Sequence, residues 1–271
     1  MRIRPDVAES MLNQAEVTFD ALTSDNEENN QSGDGWFARD LGVTVHMSLN
    51  LSPPEDVELP VILGYRVGSD LSLARQMVVL YAEYDGLGID PDGTVFPSAN
   101  HNASGMGMLL EVAKLWNEES LDPRRSVLFV AWSGHLDPRV AQEFFSERFN
   151  FRHLITNNPN DLVSPATVIQ LDYAGAGGDT LIYHPESSEG MVTLLEESAQ
   201  DLEIFIESGE DPSAFPPTIN VRGTDWISLR WADSDISPLD DEFRLIEREK
   251  VQSFGEALSL MLIKLVRESD F

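Results

Sequence analysis

Apolar positions change their spacing along the chain. Residues 6–23 place Val7, Met11, Ala15, Phe19 and Leu22 at helical intervals, which predicts an amphipathic helix. Residues 24–35 (SDNEENNQSGDG) are acidic and nearly free of apolar side chains, so they read as a flexible loop. Residues 43–51 alternate and predict a strand, 53–58 a turn, and 60–66 (PVILGYR) a second strand. Continuous apolar runs follow at 77–82 (MVVLYA), 126–132 (SVLFVAW) and 167–171 (TVIQL), each bounded by polar residues. Such runs suit central strands covered on both faces. Between the first two, 104–116 predicts a helix with Met108, Leu109, Val112, Ala113 and Trp116 inward; 138–149 predicts another. Residues 249–266 close the pattern as an amphipathic helix through Val251, Phe254, Leu258, Met261, Leu262 and Leu265.

Strands alternating with helices predict an α/β fold, a mostly parallel central sheet with helices on both faces. The expected organisation is an α/β domain over 60–271. An N-terminal extension over 1–59, of helix, acidic loop and strand, is expected to pack on it. No internal repeat is present.

With 271 residues, 42% of them hydrophobic, the chain can bury a sizeable core. Lys and Arg number 18 against 47 Asp and Glu, a formal charge of −29. A polyanion of this kind repels nucleic acid and anionic membranes, and the acid serves solubility. There is no cysteine, which excludes disulfides, zinc-thiolate sites and cysteine nucleophiles. No apolar run reaches the roughly 18 residues that span a bilayer, and the first residues lack a signal-peptide core.

In open α/β sheets, sites form at the carboxyl ends of the strands. Here those ends are Glu83-Tyr84-Asp85-Gly86, Ser133-Gly134-His135-Leu136-Asp137 and Asp172-Tyr173. The segment Ser98-Ala99-Asn100-His101-Asn102-Ala103-Ser104-Gly105 leads into the first core helix. Polar and ionisable residues therefore gather where a parallel sheet places its cleft, and Glu83, Asp85, His101, His135 and Asp172 are the candidate cleft residues. Other motifs carry less. Ser133-Gly134-His135 lacks the spacing of a hydrolase nucleophile elbow. Ser104 reads as a helix-start residue. Gly175-Ala176-Gly177-Gly178 lacks the dinucleotide fingerprint. The acidic residues Asp201, Glu203, Glu207, Glu210 and Asp211 lack calcium-loop spacing. His46, His153 and His184 stand outside the cleft segments. Trp226 and Trp231 read as core or pocket lining.

VVLYAEYDGLG, SANHNASGMGMLLEVAKLW, RRSVLFVAWSGHLD and VIQLDYAG occur in that order, preceded by GYRVGSD and followed by DDEFRLIEREKVQSFGEAL. Over 60–271 this resembles the zinc aminopeptidases of clan MH (peptidase family M28). The resemblance implies a two-zinc site. One zinc takes a His, a bridging Asp and a later Asp. The other takes the bridging Asp, the second Glu of a Glu-Glu pair and a late His, while the first Glu of the pair is the general base.

On these positions the chain carries Glu83 for the first His, His101 for the bridging Asp, His135 for the general base and Leu136 for the second Glu. Asp172 matches the later Asp and Asp85 is kept. No histidine follows His184. An imidazole nitrogen has one lone pair and cannot bridge ions roughly 3.5–4 Å apart. Leu136 offers no donor. The expectation is therefore a domain that has lost two-zinc peptidase activity, needs no cofactor, and serves as a binding or structural module for a protein or peptide partner. On that reading Glu83 and Asp172 pair electrostatically with His101 and His135.

The alternative is a metallohydrolase with one zinc or other divalent ion at Glu83, His101 and Asp172, all of them possible ligand types, and with His135 as its base. The family resemblance also implies an extracytoplasmic setting. Assembly of a larger membrane-associated protein is a third role that the sequence leaves open.

Overall fold

The run MVVLYA becomes the middle of a sheet because it is hidden on both sides: every residue from Met77 to Glu83 is buried. The structure, a computed structural model, describes residues 5–18, 44, 58, 60–90, 92–133, 164–210 and 224–267. The chain divides into two compact units, Met1–Val57 and Glu58–Phe271.

In the first unit the described helix is α1, Pro5–Gln14. This corrects the expectation of a helix over 6–23. Glu16 adopts a left-handed conformation (φ 55°), Val17 N–H donates to the Leu12 carbonyl and Glu16 N–H to that of Asn13. That pairing is a Schellman stop, which usually announces itself by glycine. The strand predicted over 43–51, apart from Thr44, lies outside the described residues, as do the helix predicted over 138–149 and most of the loop and turn segments.

The second unit contains β1 (Ile62–Arg66), β2 (Gln76–Glu83), β3 (Gly88–Ile89), β4 (Val95–Phe96), α2 (Ser104–Glu118) and β5 (Val127–Trp132). It continues with β6 (Ser164–Leu171), β7 (Thr180–Tyr183), α3 (Glu189–Gln200), β8 (Phe205–Ser208), β9 (Asp225–Trp231) and α4 (Arg248–Arg267). Seven strands form one sheet in the order β1-β5-β2-β6-β9-β7-β8, while β3 and β4 make a separate hairpin. The β2–β5, β2–β6, β6–β9 and β7–β8 pairings are parallel; β1–β5 and β7–β9 are antiparallel. The predicted mostly parallel α/β sheet is therefore the observed architecture, and β2, β5 and β6 carry the three apolar runs.

Helices α2, α3 and α4 close the core with residues at helical spacing, among them Met108, Val112 and Trp116, Leu194 and Leu195, and Phe254, Leu258, Met261 and Leu265. No helix among the described residues is long and apolar enough to cross a membrane.

Close packing at the start of α2 explains one glycine. A Cβ on Gly105 would stand 2.2 Å from the Leu171 carbonyl oxygen, so only glycine lets α2 begin against the end of β6. This contact sets the helix start, and the turn before it, over the carboxyl ends of β2 and β6.

Candidate active-site cleft

Two carboxylates stand side by side at that end. Tyr81 and Gln170 are register partners on β2 and β6. Strand side chains repeat every two residues, so Glu83 and Asp172 follow at the same level. Each is buried, and each accepts a hydrogen bond from the residue two positions before it. The Tyr81 hydroxyl donates to Glu83 Oε1 at 2.8 Å, and Gln170 Nε2 donates to Asp172 Oδ2 at 2.5 Å.

His101 approaches from the turn before α2. Residues Ala99–Ala103 form one π-helical turn, entered through Ser98 in a left-handed conformation (φ 55°). π-turns inside helices gather at functional sites. Three groups hold this turn. Asp241, itself buried, accepts the backbone N–H of Asn100 on Oδ1 (2.6 Å) and that of His101 on Oδ2 (2.9 Å). Asn100 is fully buried. Its Nδ2 donates to the carbonyls of Ala176 (3.1 Å) and Ser234 (3.4 Å), and its Oδ1 accepts from Gly175 N–H (2.9 Å). Asn102 Nδ2 donates to the Asp85 carbonyl, and the Asp85 carboxylate accepts from Ser133 Oγ at 3.2 Å.

Ser104 is structural, as its place at a helix start predicts. Its hydroxyl donates to the Asn100 carbonyl at 2.6 Å and accepts Ala174 N–H at 2.9 Å.

Beside Asp172, Tyr173 takes a left-handed backbone (φ 46°), and its ring lies 4.7 Å from that of His101. The Arg230 guanidinium sits 5.5 Å from the Tyr173 ring centroid and donates to both Asp235 carboxylate oxygens, at 3.1 and 3.4 Å. Burial pushes the Tyr173 phenol well above its ordinary pKa. The charges of Asp235 and Asp172 act in the same direction, and Arg230 opposes them. The phenol is therefore a neutral donor at physiological pH.

Glu83, Asp85, His101 and Asp172 thus belong to one end of the sheet. His135 and Leu136 lie outside the described residues, as do His46 and His153. His184 is buried against Trp226, ring to ring at 4.9 Å, and its Nδ1 accepts Glu186 N–H at 3.1 Å. Trp231 is core: its indole N–H donates to the Ala174 carbonyl at 3.1 Å. Sequence reasoning missed Asp241, Asn100, Tyr173 and Arg230. Asn100 was legible as the polar residue next to His101. Asp241 gave no local signal.

Among the described residues, no three His, Asp or Glu side chains are placed to hold a metal ion. Glu83 and Asp172 are presented as hydrogen-bonded carboxylates, and the chemistry on view is anion-rich and hydrogen-bonding.

The sequence model of Peptidase family M28 matches residues 62–240. Among solved structures, the zinc aminopeptidase BSAP from Bacillus subtilis superposes with a TM-score of 0.58 and 18% identity, over 77% of this chain and 50% of that one. LapB from Legionella pneumophila gives 0.56 and 14%, over 77% and 60%. The glutaminyl cyclase of Porphyromonas gingivalis gives 0.57 and 17%, over 77% and 78%. At these identities the likeness is one of fold. The chain spans half to three-fifths of the length of the first two. No curated protein matches the sequence.

Proposed function

The chain belongs to peptidase family M28, and on that premise we propose that it is a member without two-zinc peptidase activity, acting as a non-catalytic binding or structural module. The donor set carries this reading. Leu136 and the absence of any histidine after His184 leave the family's second metal position without ligands. At the first position Glu83 and Asp172 are engaged by Tyr81 and Gln170. The acid–base groups that remain then serve to shape and polarise a cleft.

The test is elemental analysis of protein purified without chelator, followed by aminoacyl-anilide hydrolysis in added zinc. Substoichiometric metal and no hydrolysis are expected. Stoichiometric metal that disappears in His101→Ala would overturn the proposal.

One observation favours a second reading, a single-metal hydrolase at Glu83, His101 and Asp172, although the three side chains do not converge as they stand: Glu83 ends β2, Asp172 follows the neighbouring parallel strand β6, and Tyr173 N–H donates to the His101 carbonyl at 3.4 Å. On that reading the same metal analysis gives one equivalent of zinc or iron.

A further inference from the structure

Two loops rim the cleft, and they carry an unusual share of bare apolar surface. One follows β2 and contains the β3–β4 hairpin. The other follows β9 and contains Asp241. They meet at the π-turn, where Ala99 N–H donates to the Asp241 carbonyl at 3.0 Å.

Of the thirteen exposed large hydrophobics among the described residues, five lie on these two loops: Leu87, Ile89, Val95, Leu239 and Phe243. Ile89 and Val95 are directly opposite each other in the antiparallel hairpin, so their side chains leave on the same face. That face is open, with Ile89 68% and Val95 56% exposed; Phe243 is 84% exposed. Scattered exposed hydrophobics need no explanation; five on two loops joined by a hydrogen bond beside the His101 turn are a candidate interaction surface.

The exposed charge on these loops is mostly negative. Residues 85–98 carry Asp85, Asp90 and Asp92 and no basic residue. Residues 232–248 expose Asp233, Asp235, Asp240, Glu242 and Glu247 against Arg244 and Arg248. Arg244 is paired with Glu242 at 2.7 Å, and the nearby Arg230 with Asp235. Arg244 and Arg230 are therefore ion-paired, and exposed acids outnumber exposed bases along the rim.

We propose that the cleft mouth, formed by Leu87, Ile89, Val95, Leu239 and Phe243 within this acidic rim, docks a basic, apolar polypeptide segment of a partner protein. The segment's apolar side chains cover the bare hairpin face and Phe243, and its Lys and Arg residues meet the rim carboxylates. Such a surface rejects acidic partners by like-charge repulsion and gains association rate at low salt. The proposal rests on the binding-module reading and supplies its partner class.

The probe is a synthetic peptide of Leu and Lys, titrated calorimetrically into the full chain. A Leu–Glu peptide of equal length and an apolar-free oligolysine are the controls. Ile89→Ser/Phe243→Ser is the test variant; both side chains are mostly solvent-exposed, so folding is retained, and circular dichroism checks it. The Leu–Lys peptide is expected to bind the parent, and to bind the variant roughly tenfold or more weakly, as truncating two apolar anchors should produce. The Leu–Glu peptide is expected not to bind, and oligolysine to bind weakly and equally to both proteins. No binding of the Leu–Lys peptide, or equal binding to parent and variant, overturns the docking surface. The same mixtures are assayed for release of the peptide's N-terminal residue. Metal-dependent release overturns the non-catalytic reading and leaves the docking result to stand or fall on the titration.

Discussion

Asp241 makes the sharpest mechanical prediction. Its buried carboxylate is the acceptor for two backbone amides, Asn100 N–H and His101 N–H, at 2.6 and 2.9 Å. Asp241→Ala removes both acceptors and leaves two donors without partners, the Asn100 amide fully buried and the His101 amide partly so. An unsatisfied buried donor costs about 1–3 kcal/mol, so with two of them the variant is expected to lose about 2–6 kcal/mol. Asp241→Asn retains one acceptor oxygen and should lose about 1–3 kcal/mol. Urea unfolding reads these values, provided the slope with denaturant stays constant. Because the amides belong to the turn carrying His101, the His101 ring proton resonances should move in both variants, while those of His184, seated on Trp226, stay in place. An Asp241→Ala variant within about 1 kcal/mol of the parent, or with an unmoved His101, would refute the clamp.

Three further outcomes follow from local geometry. Gly105→Ala should destabilise by about 1–3 kcal/mol or prevent folding, because the new methyl meets the Leu171 carbonyl; chemical denaturation of purified protein decides it. Helices α2 and α3 end as α1 does, with Ser120 (φ 50°) and Glu203 (φ 58°) in the left-handed position of a Schellman stop. Ser120→Gly and Glu203→Gly should therefore each stabilise, by roughly 0.5–1 kcal/mol after the entropic cost of glycine in the unfolded chain, and thermal melts should show it. Asp70 accepts from Arg124 and from the backbone of Leu73 and Ser72, which holds its carboxyl at about 2. Its folded pKa lies below the unfolded value, so its contribution is present above about pH 4 and is lost as pH falls toward 2. Comparing urea midpoints at pH 5 and pH 3 should show a smaller drop for Asp70→Asn than for the parent.

The fold was legible where burial is two-sided. The runs at 77–82 and 126–132 became β2 and β5 within a residue at each end, because a strand hidden on both faces must be apolar throughout. Partly covered elements were not read. β7 is four residues long, and β9 (DWISLRW) interrupts its apolar pattern with charge. α3 showed Met191, Leu194, Leu195 and Ser198 at helical spacing, and that signal was available. Helix ends were misjudged where a stop uses Glu16 instead of glycine. At the site, the strand-end rule pointed to Glu83 and Asp172. The residue that fixes the His101 turn lies 140 positions away, at Asp241, and no local spacing could announce it.

The fully buried side chain of Asn100 joins backbone at Gly175, Ala176 and Ser234, three points on two loops far apart in sequence. One amide group thus shares its fate with the backbone of both loops. Local opening of proteins proceeds in contiguous cooperative units. Here the amides of 99–103, 173–177 and 232–241 should exchange with solvent at a common rate, as one unit. The cleft then has a single opening free energy. Whatever occupies it draws on that one reserve, and tightening any of the three segments rigidifies the others.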